Sequence, residues 1–446
     1  MQILIDDIIR DFGGALLRGE GAYFLGSGIS VDSGLPDWFE LIQRLAIPLG
    51  LTLTKQDNLP RIAQYCVNAN NGNRGPLIGR LKRALSQHTI KTNSYHVAIN
   101  RTNVRTIWTT NFDTLIEAAL QPARLVVRAN DADLTSGLND FDVELIKIHG
   151  CISRSKPSEF VLTQEDYENF ASRRPALAER LRHDLIHKSL LFAGYSYNDP
   201  NIETVVVEAR RLSGGATREH YFILKKATNP QAYKRQELWQ DDLSRFGIRT
   251  AFISDYDELK IILNRLSLAS RGKSVFVTGS HTNNNSLAAE LGRLLAHEAN
   301  VIFLDGQSTG IGRDAANAYG AECVNKRVDI RDRVRHFPNP YSFNPSFAND
   351  PTLLNTLKQW RASLARAAHS IVVFDGGMGT NAEIELAREM GCVIIPVPGR
   401  PKGTASRLLA DSDITNRLDP NYIAAASSGM VTAGDIIACL RATFSS

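Results

Sequence analysis

An apolar run that stops on spaced glycines constrains this chain more than any other stretch. Ala22-Tyr23-Phe24-Leu25 reads as a buried strand, Gly26-Ser27-Gly28-Ile29-Ser30 follows it, and a helical pattern resumes at Trp38 and Phe39 and runs through Leu41, Ile42 and Leu45. Strand, glycine turn, helix is the setting in which the phosphates of a nucleotide meet backbone N–H groups. Gly26 and Gly28 have no side chain, so the backbone can approach a pyrophosphate there. A G-x-G turn alone is equally the mark of an ordinary strand end, and the rest of the chain has to decide between the two.

The strand-and-glycine pattern returns twice near the other end, at Val275-Phe276-Val277-Thr278-Gly279-Ser280 and at Ile371-Val372-Val373-Phe374-Asp375-Gly376-Gly377-Met378-Gly379-Thr380. With 446 residues and roughly 100–200 residues per domain, two domains are expected. The segment from Ile262 to Lys273 reads as a helix end running into a short polar connector, which places one domain at 1–268 and another at 274–446. The first opens with an amphipathic helix marked by Leu4, Ile5, Ile8, Ile9, Phe12 and Leu16. Residues 38 to about 90 read as helical around a polar loop, Asn68 to Asn73. Strands are expected at Val104–Thr110, Arg124–Val127, Glu144–Ile148, Phe160–Leu162, Ser189–Ala193 and His220–Leu224. Thr114 and Glu117 stand at capping-box spacing. In the second domain a helix is expected near 286–298, and strands at Val301–Leu304, Ser370–Phe374 and Val393–Val397. A long loop is expected over Arg335–Asp350. Strands alternating with helices predict an α/β protein of two Rossmann-like, doubly wound domains in series.

Charge and cysteine usage narrow the function. The net charge of +4 is too mild to call for nucleic acid and suits a small anionic ligand. The five cysteines, Cys66, Cys151, Cys323, Cys392 and Cys439, form no C-x-x-C pair, which argues against a disulfide framework and a cysteine-built metal site. No metal is expected. The first residues carry Asp6 and Asp7 where a secretion signal needs bases. No apolar run reaches the roughly 18 residues of a membrane span. A cytoplasmic protein without a membrane partner is the expectation.

Three stretches, in order, resemble the sirtuins. Gly26-Ser27-Gly28-Ile29-Ser30 with Ser33-Gly34-Leu35-Pro36-Asp37 resembles the family's NAD-binding loop, Thr109-Thr110-Asn111-Phe112-Asp113 its T-Q-N-I-D segment, and Ile148-His149-Gly150 its catalytic His-Gly. The resemblance implies a site for NAD as substrate at Gly26, Ser27, Gly28, Ile29, Ser30, Asp37, Asp113, Gly194 and Ser196, with Asn111 and His149 catalytic. The chemistry suits those types. Cleaving the nicotinamide–ribose bond leaves an oxocarbenium-like centre, and an amide such as Asn111 can hold a water and the ribose hydroxyls together. An imidazole such as His149 takes a proton near neutral pH, and Asp113 can bind the nicotinamide carboxamide. Two departures count against protein deacylation. No four-cysteine zinc module follows His149-Gly150, and Trp38-Phe39 stands where the deacylases have Phe-Arg. Leu35-Pro36-Asp37-Trp38, Asn111 to Glu117 and Phe192 to Ile202 are instead similar to the sirtuin-like domains of bacterial defence proteins, which hydrolyse NAD. That resemblance covers roughly residues 1–265.

Gly376-Gly377-Met378-Gly379-Thr380 with Glu383 resembles the G-G-x-G-T-x-x-E loop of the SLOG superfamily. Consecutive N–H groups opening a helix suit a phosphate. Gly279, Ser280 and the loop Gly306–Gly312 sit where that family has its other ligand loops, and Arg361 is a charge partner for an anion. Asp375 replaces the usual proline. An acid there is unfavourable beside a phosphate unless it points away, which leans toward binding rather than phosphoribohydrolase chemistry. A sirtuin-like domain followed by a SLOG domain is the arrangement of the Thoeris antiphage effectors. The resemblance implies a NAD-depleting homo-oligomer, most simply a tetramer, switched on by a cyclic ADP-ribose isomer made by a TIR-domain partner. The alternatives are a protein deacylase and a nucleotide sensor that binds NAD without hydrolysing it.

Overall fold

The computed structural model describes residues 3–54, 57–85, 90–120, 125–135, 141–195, 218–279, 285–343 and 351–445. It divides into two compact units, one of residues 1–100 with 104–270, the other of 101–103 with 271–446.

The first unit is built on β1 (Gly21–Leu25), β2 (Thr106–Thr109), β3 (Leu125–Arg128), β4 (Val143–Lys147), β5 (Ser189–Ala193), β6 (His220–Lys225) and β7 (Ile248–Ile253). They form one sheet in the order β3-β4-β2-β1-β5-β6-β7, parallel throughout. Every residue of β1, β2, β4 and β5 is buried, as helices on both faces of a parallel sheet require. Alternate residues feed two cores. Tyr23, Leu25, Ile107, Leu145 and Leu191 pack with Ile8, Phe12 and Leu16 of helix Ile5–Leu17 and with Leu263 and Leu266 of helix Tyr256–Ala269. On the other face Phe24, Trp108, Phe192 and Phe222 form a run of ring contacts over helix Pro175–His187, and Trp108 Nε1 donates to Asp184 at 2.9 Å. Helices Trp38–Ala46, Leu59–Asn68 and Gly75–Leu85 make a separate apolar cluster with Phe160 and Leu162.

Sheet order fixes where a ligand can enter. The chain leaves β1 for β2 on one side and places β5 on the other, so a crevice opens at the carboxyl ends of these strands. Leu25 stands opposite both Thr109 and Ala193, and Thr109 opposite Lys147. Gly26, Thr110, Ile148 and Gly194 therefore leave the sheet side by side.

Two local expectations fail, each for a visible reason. Phe160–Leu162 is not a strand. Only Val161 N–H reaches a neighbouring backbone, the His149 carbonyl at 3.1 Å, while Leu162 N–H is taken by the Asp166 carboxylate at 3.0 Å. Thr114 makes no capping bond. Asp113 Oδ1 accepts the Leu115 N–H at 2.9 Å instead, and Glu117 turns to Lys147 at 2.9 Å. Conversely, β7 forms although Arg249 and Thr250 interrupt its apolar run; it is an edge strand, and Arg249 pairs outward with Glu219 at 3.2 Å.

The second unit carries β8 (Lys273–Thr278), β9 (Val301–Asp305), β10 (Val334–His336), β11 (Ser370–Phe374) and β12 (Val393–Val397), again all parallel, in the order β10-β9-β8-β11-β12. The loop expected over Arg335–Asp350 begins as β10 and continues through a short helix, Pro340–Phe343; residues 344–350 lie outside the described residues. Helices Asn285–His297 and Ile311–Asn325 approach so closely that a Cβ on Gly292 would stand 2.3 Å from the Ala315 carbonyl oxygen. The strand order reverses between β8 and β11, whose carboxyl ends carry Gly279 and Asp375-Gly376-Gly377.

Candidate active site and the glycine turns of the second unit

At the switch point of the first sheet lies a cleft of about 630 Å3, open to solvent and lined by Ser27, Ser30, Asp37, Asn111, Asp113 and His149 among others. Its floor is the loop after β2. Asn111 N–H donates to Thr109 Oγ1 at 3.0 Å, and Thr109 Oγ1 in turn donates to the Leu25 carbonyl at 2.9 Å. The Asn111 amide reaches Ser30 Oγ at 3.3 Å, and Ser30 Oγ donates to Asp113 Oδ2 at 3.1 Å. One chain of hydrogen bonds thus joins the turn after β1 to the turn after β2. Two polar atoms of cleft-lining residues are left buried without a partner, the acceptor Asn111 Oδ1 and the donor Trp38 Nε1. Unpaired buried polar atoms are costly, and a bound ligand or water is the ordinary way such atoms are satisfied.

His149 follows β4. Its neighbour Gly150 has φ +99°, and a Cβ there would also crowd the Glu159 carbonyl at 3.1 Å, so the His-Gly dipeptide is a backbone requirement as well as a chemical one. The imidazole sits against Tyr167, ring centroids 5.2 Å apart, and Phe112, 6.4 Å apart. Burial, with the nearby Arg174 guanidinium, pushes it down to about 3. Burial thus favours the neutral form of His149 over the near-neutral base that the residue type suggests.

Sequence-expected residues divide clearly. Ser27, Ser30, Asp37, Asn111, Asp113 and His149 share the cleft. Gly26 and Gly28 have a close backbone neighbour in Gly194. A Cβ on them would stand 2.6 and 2.8 Å from the Gly194 carbonyl oxygen, and their N–H groups bond Ala193 O and Gly194 O, both at 2.9 Å. Gly194 itself has φ +81°. Ile29 is buried in the core. Asp37 caps helix Trp38–Ala46 through a capping box with Glu40, accepting its N–H at 2.7 Å; the D-x-x-E spacing of Asp37 and Glu40 is the signal for it. Ser196 lies outside the described residues. The apolar wall of Leu35, Trp38, Leu41, Leu81 and Leu85 was not expected as part of a site; only contact between a loop and two helices distant in sequence brings it together.

The second unit carries its glycine turns at the ends of β8 and β11. Gly279, at φ +150°, lies so close to β11 that a Cβ would meet Phe374 Cβ at 2.7 Å. Helix Met378–Glu389 begins at Gly377 without a side-chain cap, with Met378 89% exposed. A Cβ on Gly376 would stand 2.0 Å from Thr380 Oγ1, and one on Gly379 3.5 Å from Arg361 Nη2. Arg361 Nε is 4.0 Å from Glu383 Oε1, beyond hydrogen-bond reach, and has no hydrogen-bond partner. Thr278 Oγ1 donates to Glu383 Oε2. Burial holds the Glu383 carboxyl above its usual range, against the pull of Thr278 and Arg361. Arg361 and Glu383 border a small hollow whose other walls are apolar, including Phe276, Trp360 and Ile371. Asp375 points away from the glycines. Its carboxylate accepts Ala405 N–H at 3.0 Å and Gly399 N–H at 3.2 Å, tying down the turn after β12. Ser280 lies outside the described residues.

A SIR2-like domain matches residues 105–246, which include Asn111, Asp113, His149 and Gly194. NAD(+) hydrolase ThsA of Bacillus cereus (strain MSX-D12) is 31% identical over 76% of this chain and 75% of its own length. The chain belongs to the ThsA family of NAD(+) hydrolases. NAD(+) hydrolase ThsA of Acinetobacter baumannii (strain 532279) is 27% identical and spans 92% of this chain and 91% of its own length. Defense-associated sirtuin 2 of Bacillus subtilis is 24% identical over 52% of the chain and only 23% of its own length. The ThsA relatives match across both units, whereas the SIR2-like match is confined to the first. Among the described residues, no helix of this ThsA family member is long and apolar enough to cross a membrane.

Proposed function

We propose that this chain is a nucleotide-gated NAD hydrolase of antiphage defence, in which the first unit cleaves NAD to nicotinamide and ADP-ribose and the second binds the activating ligand. By family it is an NAD(+) hydrolase with NAD as substrate. The observation that carries the catalytic reading is the meeting of Asn111, Asp113, Ser30 and His149, from three strand ends, in one cleft with an unpaired acceptor on Asn111. Asn111 Oδ1 takes a hydrogen bond from the attacking water or a ribose hydroxyl. Asp113, whose carboxylate oxygens each keep acceptor capacity beyond Ser30 and Leu115, receives the nicotinamide carboxamide. Breaking the C–N bond leaves an oxocarbenium-like ribose, so the water needs orientation more than a strong base. A neutral His149 is consistent with that demand.

The activator in this reading is a cyclic ADP-ribose isomer made by a TIR-domain partner. Its phosphates lie at the Gly376–Thr380 helix start and its charge is met by Arg361. The protein is held quiet as a homo-oligomer, most simply a tetramer. The test is direct. The purified full chain is given NAD with and without each cyclic ADP-ribose isomer, and nicotinamide and ADP-ribose are quantified. Activation by one isomer, lost in Asn111→Ala, supports the proposal; constant NAD turnover indifferent to every isomer sinks the gating. Light scattering at micromolar concentration tests assembly, and a monomer counts against it. An acyl-lysine peptide that loses its acyl group would revive the deacylase reading.

A further inference from the structure

Lys147 is the last residue of β4 and is fully buried, opposite Thr109 of β2. A buried ammonium is expensive unless charge and hydrogen bonds compensate it. Here its Nζ donates to Glu117 Oε1 at 2.9 Å and to the main-chain oxygen of Asp113. Nothing in the hydrolytic reading uses it. It nevertheless ends directly beneath the loop that carries Asn111 and Asp113.

That loop is held at three backbone points. Thr109 Oγ1 takes the Asn111 N–H, Ile152 N–H donates to the Phe112 carbonyl at 2.9 Å, and Lys147 takes the Asp113 carbonyl. The first two fix Asn111 and Phe112. Only the third is aimed at Asp113, whose carboxylate is already oriented by Ser30 and Leu115. Glu117, on helix Leu115–Ala119, balances the charge, and its other oxygen is buried without a partner. The pair therefore has the geometry of a clamp: Glu117 neutralises, Lys147 grips.

We infer that Lys147 is a positioning residue that holds Asp113 in place to receive the nicotinamide carboxamide. This rests on the Asp113 assignment proposed above. A purely structural ion pair would tie β4 to the helix after the loop and would not distinguish one part of the substrate from another. A positioning residue would weaken the grip on nicotinamide alone.

The experiment measures equilibrium binding of two probes to the full chain: the carbocyclic analogue of NAD, which cannot be hydrolysed, and ADP-ribose, which lacks nicotinamide. Lys147→Met combined with Glu117→Gln removes the grip without stranding a buried charge. It is expected to bind the NAD analogue about five- to tenfold more weakly with ADP-ribose affinity within about twofold. Glu117→Gln alone keeps the Lys147 donor and is expected to lower the thermal midpoint while leaving both affinities in place. Asp113→Asn is the control and should weaken the analogue selectively. If the double variant weakens both probes equally or neither, or if Glu117→Gln alone reproduces its selectivity, the role of Lys147 is overturned while Asp113 stands. If Asp113→Asn shows no selectivity, the Asp113 assignment falls and this inference falls with it.

Discussion

The two units build on the same kind of parallel sheet, yet their polar groups near the strand ends face different things. In the first unit the cleft is about 630 Å3, and buried Asn111 Oδ1 and Trp38 Nε1 have no hydrogen-bond partner. In the second, Glu383 is engaged by Thr278 and faces Arg361, whose Nε is likewise buried without a hydrogen-bond partner. A site that keeps acceptors and donors unspent is prepared for reactants, since groups aimed in advance cost no reorganisation when charge develops. A site whose acid and base face each other gives a ligand something to displace, which is how binding can favour one arrangement over another.

The largest expected effect breaks the first side of that comparison. Asn111→Ala removes the unpaired acceptor, and His149→Ala removes the buried ring beside Phe112 and Tyr167. Each should lower NAD turnover at least about 100-fold with the fold intact by circular dichroism. Near-wild-type turnover in either folded variant would mean that the prepared cleft is not where the chemistry occurs.

The next effect falls on the second unit. Glu383→Ala frees Thr278 and Arg361, and Gly379→Leu drives a side chain toward the Arg361 guanidinium, 3.5 Å from the position of a Cβ. Both should leave the NAD cleft unchanged and abolish activation. Moving a resting balance of about 1:99 to 99:1 takes roughly 5.5 kcal/mol of preferential binding, and loss of one charged contact removes a large share of it. The check is NAD loss against cyclic ADP-ribose concentration, beside direct binding of the same isomer. Variants that lose binding yet activate normally would separate the crevice from the switch.

How much of this was legible beforehand follows from what each feature depends on. The strands whose residues are all buried, such as β1 and β5, announce themselves as apolar runs, and glycine turns mark where those runs end. β7 was not announced because an edge strand tolerates Arg249, and Phe160–Leu162 misleads because an apolar triplet can be buried without a ladder partner. Asn111, Asp113 and His149 are readable through motif order, but their state is not. Burial and Arg174 decide that His149 is neutral, and both arise from contacts distant in sequence. The same holds for Lys147, which looks like an ordinary basic residue until Glu117 and the Asp113 carbonyl are placed around it. The packing of Gly26 and Gly28 is equally hidden in the sequence, because their close neighbour Gly194 lies far along the chain.

Titration offers a smaller effect that still separates the units. His149 is pushed down to about 3, so the free enzyme should show no loss of kcat/KM as pH falls from 8 to 5.5, where an ordinary histidine base would titrate near 6.5. A limb near 6.5 would contradict the buried neutral ring. Stability should behave differently. Burial also holds His220 at about 4 and His369 at about 3. Unfolded histidines take up protons as pH drops through about 6.5 while these folded ones stay neutral, so stability is present above that value and is lost progressively toward pH 3–4. Two of the three lie in the first unit and one in the second. The first unit should therefore lose more of its thermal midpoint between pH 7 and 5, read by hydrogen exchange in β4 and β6 against β11.

The smallest effect tests whether an unpartnered donor takes part in binding. Trp38 occupies the position after Pro36-Asp37, lies at the start of its helix behind the Asp37 cap, and tilts against Phe112 at 6.2 Å between centroids. Its ring closes the apolar wall of the cleft, whereas its Nε1 has nothing to donate to. Trp38→Phe keeps most of the wall and deletes the donor. If the N–H meets NAD, affinity should fall by about 0.5–1.5 kcal/mol, roughly two- to tenfold, the worth of one neutral hydrogen bond, with the thermal midpoint unchanged or raised because a buried unpaired group has been removed. If affinity is unchanged and only the midpoint rises, the indole N–H is an unsatisfied remnant of packing, and Asn111 Oδ1 alone remains as the unspent group of the cleft.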